Sequence, residues 1–312
     1  MRRNAEEPQS LSISISFYLH ERTIILNSPM MSILFAVCAA ALYGSADFLG
    51  GLAARRSAVM PVMIFSQLAG SCMLVAMLPW LPPASAGFAD LVWGTVAGVA
   101  LGIGLTQLYQ CLAIGKMSVV APMTAVFAVI VAALVGLTGG DRLSATAFGG
   151  VALAIAAIVL ISQDGVPKTV LEEQGNSART FVIALWAGFF IGVFFAALKQ
   201  SSTSAGLLPL LSARVTALAV LAVLALFLKP SLRVGRETVW LILLGGALDV
   251  MANVLYVLAA RHGMLTIAAT LTSLYPASTI VLARFVLGER LRAIQIAGLS
   301  CAGLGIALIG AG

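Results

Sequence analysis

The chain has 312 residues, of which 61% are hydrophobic and 10% are charged, and its mean hydropathy is +1.05. A soluble domain is about 45–50% apolar and about 25% charged, so this composition excludes an ordinary water-soluble globule and requires lipid as the main solvent. The net charge is +6, but Lys and Arg occur singly or in pairs between apolar runs. That distribution favours charges that set topology over a nucleic-acid-binding surface.

The first segment, residues 1–30, differs from the rest of the chain because it is polar. Its apolar patch at 11–19 is too short and too serine-rich to span a bilayer. We interpret 1–30 as a disordered leader, or as a product of start-codon choice, since Met30 and Met31 directly precede the first long apolar run.

Ten apolar runs follow, each close to the roughly 20 residues of a spanning helix. A polar connection at 164–179 separates five runs from five. We therefore predict an all-α integral membrane protein with ten transmembrane helices, in five-helix units at 31–163 and 180–312. The runs occupy residues 31–53, 60–81, 91–114, 118–138, 146–162, 180–198, 206–228, 238–260, 264–287 and 293–311.

An internal repeat relates the two units. A shift of 147 residues brings Trp93 of the third run onto Trp240 of the eighth. After one gap, Gly-Asp-Arg-Leu at 140–143 meets Gly-Glu-Arg-Leu at 288–291. Because each unit has an odd number of helices, the second must enter the membrane from the opposite side. Inverted repeats of this kind place a substrate site near the midplane of the membrane, between the two units. Rocking of one unit against the other opens that site to each side of the membrane in turn, so the repeat predicts a transporter.

The motifs also resemble those of a known family. Ala-Leu-Tyr-Gly stands at 41–44, Leu-Tyr-Pro at 274–276, and the acidic-Arg motif occurs in both units. In order and spacing, residues 31–312 resemble the EamA-like ten-helix branch of the drug/metabolite transporter superfamily. The resemblance implies a small-molecule transporter with both termini in the cytoplasm and a structural role for the acidic-Arg turns. One departure is Ala128, which stands where the repeat would place a counterpart of Pro276.

Polar residues inside the apolar runs are the candidate substrate-binding residues, because such residues are costly in lipid. Asp47 can bind a proton or a cationic group, or it can be a hydrated residue near the helix end close to Arg55. Asp249, Asn253 and Tyr256 share one helix face.

Gln107 and Gln110 give the third run a comparable polar face, while Tyr43 and Trp186 offer ring surfaces. These polar faces predict a central cavity; hydrogen bonding between helices is the alternative. The full candidate set is Tyr43, Asp47, Gln107, Gln110, Trp186, Asp249, Asn253 and Tyr256.

Other features have structural interpretations. The four-residue spacing of Gly94, Gly98 and Gly102 predicts close approach of another helix. Arg214 and Arg284 can meet an anionic substrate, but we interpret them as snorkelling side chains. The cysteines lie singly in apolar runs and are interpreted as small core residues, so no metal or cofactor is predicted. They are Cys38, Cys72, Cys111 and Cys301.

The sequence therefore predicts a multi-pass cell-membrane secondary transporter, most simply an exporter of amino acids or related compounds. Uptake of sugars or other metabolites is the nearest variant. A membrane-embedded enzyme or a scaffold is the alternative of another class, but no nucleophile elbow, HExxH or P-loop pattern is present. Protons are candidate coupling ions, and a homodimer is one option for assembly.

The orientation is left open by two opposing indications. The family resemblance implies cytoplasmic termini, whereas Lys and Arg are concentrated in the loops on the side opposite the termini. The positive-inside rule would place those loops in the cytoplasm instead.

Overall fold

The computed structural model describes residues 29–80, 84–114, 117–162, 177–286 and 293–311. Across these ranges the chain forms eleven α-helices and two single-turn 3-10 helices, with no β-strand, so the predicted all-helical class is confirmed there. The first half of the chain contains α1 (Pro29–Arg56), α2 (Val59–Met77), α3 (Phe88–Ile114), α4 (Met117–Thr138) and α5 (Ala145–Ser162). The second half contains α6 (Ser177–Lys199), α7 (Leu208–Leu228), α8 (Arg236–His262), α9 (Leu265–Thr272), α10 (Tyr275–Val286) and α11 (Ala293–Ala311).

The helices are apolar enough to make this a multi-pass membrane protein. Within the described part of the chain, eight helical segments have the length and hydropathy needed to cross a bilayer, and two shorter apolar helices lie at Met123–Thr138 and Ala145–Leu160. Most of the predicted leader, most of the 164–179 linker and the 288–291 motif lie outside the described residues.

The ninth apolar run is interrupted in its middle. Helix α9 ends at Thr272 and α10 begins at Tyr275, with Ser273 and Leu274 in a turn between them. Pro276 lacks the N–H that a continuous helix would donate to the carbonyl of Thr272, so the proline favours a new helix start at this point. The break places Tyr275 at the first position of α10.

Most helix packing joins one half of the chain to the other. Helix α1 packs on α8 and α10, while α6 packs on α3 and α4. Helix α2 contacts α8, and α7 contacts α3. Three further contacts, α2 with α7, α4 with α9 and α5 with α11, also cross between the halves. The core therefore lies between the halves.

The glycines of α3 form its contact with α7, as their spacing predicts. A methyl group at Gly94 would lie 2.8 Å from the Ser212 Cβ, and one at Gly98 would lie 2.6 Å from the Thr216 Cβ and collide with the Ala213 carbonyl oxygen. The two helices thus approach too closely for any side chain, and the interpretation of the glycine run is confirmed.

Hydrogen bonds between the halves cluster at the end of the bundle where α1 begins and α11 ends, which we call the terminal face. Asp141 Oδ2 accepts from the Thr266 N–H at 2.8 Å and from its hydroxyl at 2.9 Å. Asp90 Oδ1 accepts from the Ser202 N–H at 2.7 Å. Further bonds between the halves here run from Ser32 Oγ to Ala259 O at 2.8 Å and from Ser85 N to Ser204 O at 3.0 Å.

Candidate functional site

A small pocket lies between α1, α3, α6, α8 and α10, so both halves contribute to it. Its volume is about 30 Å³. Tyr43, Leu101 and Asp249 lie at the midpoints of α1, α3 and α8, which places the pocket at half depth in the bundle. We call it the central pocket. Its lining residues are Tyr43, Asp47, Leu101, Leu105, Leu108, Ile191, Phe194, Phe195, Asp249 and Tyr275.

One of the two carboxylates in the pocket is held by a buried arginine. Arg214 of α7 has no exposed surface and donates from Nη2 to Asp249 Oδ2 at 2.6 Å. Its Nη1 donates to the Gln67 side-chain oxygen on α2. The predicted snorkelling of Arg214 is therefore wrong. Taking a guanidinium out of water is costly without a counter-charge, and Asp249 supplies that charge inside the bundle.

The other carboxylate, Asp47, has no such partner. It is 7% exposed, lines the pocket and makes no hydrogen bond or ion pair with any residue that the structure describes. It does not occupy a hydrated helix end, since α1 continues to Arg56. Tyr109 of α3 packs closely against Gly50, one helical turn from Asp47. A buried, unpaired carboxylate is energetically unfavourable, which marks the position as a functional candidate.

Aromatic rings enclose the pocket on several sides. The rings of Tyr43 and Phe195 have centroids 6.0 Å apart, and those of Phe194 and Phe195 are 5.5 Å apart. The Tyr275 hydroxyl is fixed by Thr124 Oγ1 at 2.9 Å. The Tyr43 hydroxyl, in contrast, is buried and has no hydrogen-bond partner among the described residues. It is thus a free polar group at the pocket.

Two further residues of the predicted set lie next to residues that line the pocket. Asn253 is fully buried, and its side-chain amide donates to the Asp249 carbonyl oxygen at 2.6 Å. The Tyr256 ring packs against that of Phe195 with centroids 4.4 Å apart, and its hydroxyl donates to the Phe195 carbonyl oxygen at 2.8 Å. Neither lines the pocket, so they position residues that do.

The structure does not bring the other three predicted residues to the central pocket. Trp186 is 52% exposed on the outside of α6, where it packs against Phe189 and Phe190. Gln110 is exposed, and Gln107 is only partly buried. Trp186 and Gln110 lie on the outward parts of α6 and α3. The Gln107 side-chain oxygen is buried without a hydrogen-bond partner among the described residues, but Gln107 does not line the pocket.

Several lining residues were missed because they are apolar. Phe194 and Phe195 gave no polar signal, and Tyr275 appeared only as part of a family motif. Gln67 lies in an apolar run and is 1% exposed, so its polarity alone could have singled it out.

Two larger cavities open on the terminal face. Their volumes are about 700 and 470 Å³, and Arg261 lines both. Asp141 lines the larger one, but its carboxylate is already bonded to Thr266. In the described ranges, no three His, Cys, Asp or Glu residues come together as a metal-ion site.

Comparison with known proteins agrees with a transporter fold. Residues 178–311 match the EamA-like transporter family. A crystal structure described only as "Crystal structure of protein" matches 89% of this chain and 98% of its own, with a TM-score of 0.70 and 14% sequence identity. At that identity the likeness shows a shared fold and no more. No curated protein matches the chain.

The family match covers α6 to α11, and these helices carry Arg214, Asp249 and Tyr275 of the site. Residues 178–311 are therefore an EamA-like transporter family domain, consistent with membership of the drug/metabolite transporter superfamily.

Proposed function

We propose that this chain is a secondary transporter that moves a small metabolite by alternating access through the central pocket. The observation that carries the proposal is the position of the pocket. It lies at half depth, between helices of both halves, and holds the unpaired carboxylate of Asp47 near the Arg214–Asp249 ion pair. Sites of this kind, at the interface between repeats, are where secondary transporters bind their substrates.

The proposal includes ten spans arranged as two inverted five-helix repeats. If α9 and α10 are one interrupted span, each half contributes five. The packing supports this pairing, because α1 contacts α8 as α6 contacts α3, and α1 contacts α10 as α6 contacts α4. In addition, Gln67 of α2 and Arg214 of α7 bond directly to each other across the two halves.

The proposed roles of the site residues follow from their contacts. Asp47, Asp249, Tyr43 and Tyr275 contact the substrate, while Asn253, Tyr256 and Arg214 position them. The proposal also includes export of amino acids or related compounds across the cell membrane, driven by a proton or substrate gradient. Uptake of sugars or other metabolites is the variant that the same experiment distinguishes.

Flux in proteoliposomes tests the proposal. Purified full-length protein is reconstituted, and amino acids, sugars and other small metabolites are followed under imposed pH and solute gradients. We expect saturable flux of at least one compound above that of protein-free vesicles. Folded protein that moves no member of a broad panel under any gradient would contradict the proposal.

A further inference from the structure

Among the described residues, the central pocket has one more carboxyl group than cationic groups. Two carboxylates, Asp47 and Asp249, line it, and one guanidinium, Arg214, lies behind it. Arg214 is bonded to Asp249 and Gln67 and has no exposed surface, so its charge is directed at Asp249. Asp47 is left as the carboxylate without a counter-charge. A ligand that supplies one positive charge would complete the site.

The lining excludes the opposite kind of ligand. Among the described residues that line the pocket there is no Lys, Arg or His. An anionic group would approach two carboxylates, of which Arg214 compensates one. Like charges at close range in a poorly hydrated interior repel strongly, so ligands with a net negative charge are disfavoured.

The size and the surroundings of the pocket can hold an ammonium group. The pocket volume of about 30 Å³ is close to the share of liquid volume that one water molecule occupies, roughly 30 Å³. An ammonium group is of similar size. The rings of Tyr43, Phe194, Phe195 and Tyr275 line the same space, and aromatic faces attract cations. The unpartnered Tyr43 hydroxyl can accept a hydrogen bond from an N–H.

We propose that the central pocket selects substrates that carry an ammonium group, with Asp47 as its counter-ion and the surrounding rings holding the adjacent apolar part. This inference rests on the proposed transport function and specifies its substrate class. Asp249, neutralised by Arg214, shapes the pocket but does not bind the ammonium group. A substrate whose apolar part is larger than the central pocket enters when the two halves of the protein move apart.

A series of ligands that differ only in charge tests the inference. Benzylammonium, benzyl alcohol and benzoate share one ring and are cationic, neutral and anionic at pH 7. Their binding to the purified full-length protein is measured by isothermal titration calorimetry. We expect benzylammonium to bind at least about tenfold more tightly than benzyl alcohol, and benzoate to bind most weakly. Equal or tighter binding of benzoate, or no binding of benzylammonium at about 10 mM, would overturn the inference.

Two variants assign the charge preference to one residue. Asp47→Asn removes the charge and keeps the shape, so benzylammonium binding is expected to weaken at least about tenfold while benzyl alcohol binding stays the same. Glu237→Gln removes an exposed carboxylate outside the pocket and should bind all three ligands as the wild type does. If Asp47→Asn keeps the wild-type preference, Asp47 is not the counter-ion.

The result also separates this inference from the proposed function. Flux without any preference for cationic compounds would contradict the ammonium assignment but would still support the proposed transport function. Charge-selective binding without flux would contradict the proposed transport function but would still support the ammonium-binding site. The wild-type ligand series needs no variant, so a poorly folding Asp47→Asn protein does not remove the test.

Discussion

Arg214 and Asp249 illustrate how a membrane interior holds charge. The guanidinium is fully buried, and its carboxylate partner is 2.6 Å away on the next helix. Removing one member of such a pair leaves the other as an uncompensated buried charge, which lowers the stability of the fold by about 3–5 kcal/mol. Replacing both members with apolar groups often leaves the stability unchanged.

We therefore expect Arg214→Met to lower the free energy of unfolding by about 3–5 kcal/mol and the double variant with Asp249→Leu to recover most of the loss. Thermal unfolding of the purified proteins in detergent provides the measurement. Arg233→Met is the matched control, because Arg233 is exposed in a loop and should leave the midpoint unchanged. Equal shifts for Arg214→Met and Arg233→Met would show that the buried ion pair does not stabilise the fold.

For individual residues, the sequence shows which side chains are functional candidates better than it shows which residues they contact. Asp47, Asp249 and Tyr43 stand out in apolar runs, and all three line the pocket. The role of Arg214 was not predictable, because its partner is 35 residues away and the contact depends on how α7 and α8 are rotated. Trp186 was included for its ring alone, and the rotation of α6 turns that ring outward.

Among the helices, α3 and α7 show what sets the distance between the elements of this bundle. Without side chains at Gly94 and Gly98, the α3 backbone reaches the α7 backbone directly. In lipid, where apolar helices gain little from the hydrophobic effect, this close packing is a main source of association.

Gly98→Ala is expected to destabilise the protein by about 1–3 kcal/mol, because the new methyl group would collide with the Ala213 carbonyl oxygen and force the helices apart. Gly149→Ala serves as the control, since nothing lies within 4 Å of a methyl group there. That change should be neutral or slightly stabilising, as alanine favours helix more than glycine does. Detergent-solubilised proteins are compared by their unfolding midpoints, and equal midpoints would contradict close packing at Gly98.

Sequence patterns predicted helix positions well and helix continuity less well. The ten apolar runs overlap the observed helices, but the ninth was taken as one helix and the structure divides it at Ser273 and Leu274. Pro276 predicts an irregularity in the helix, but the sequence does not show whether the helix bends or ends there. The cysteines were predicted to be core residues, yet Cys38 and Cys72 are exposed, because a run of apolar residues does not show which face meets lipid.

At the scale of the whole molecule, the contacts at the terminal face bear directly on transport. The described hydrogen bonds between the halves are concentrated at the terminal face, where Asp141 holds the start of α9 and Asp90 holds the segment between α6 and α7. The central pocket lies below these bonds at half depth. If the halves rock about the pocket, the terminal face must open, and the Asp141–Thr266 contact must break in every transport cycle.

A reversible cross-link at the terminal face tests this central claim most directly. Asp141→Cys and Thr266→Cys are combined in a protein whose Cys38, Cys72, Cys111 and Cys301 are replaced by alanine, and a short bis-methanethiosulfonate reagent joins the new pair. Each single-cysteine protein, treated with the same reagent, controls for modification alone.

The measurement is flux of a transported compound in proteoliposomes before cross-linking, after it and after reduction with dithiothreitol. Alternating access between the two halves predicts that flux falls to the level of protein-free vesicles on cross-linking and returns on reduction. Full flux through the cross-linked protein would contradict it, because the terminal face would then stay closed during transport.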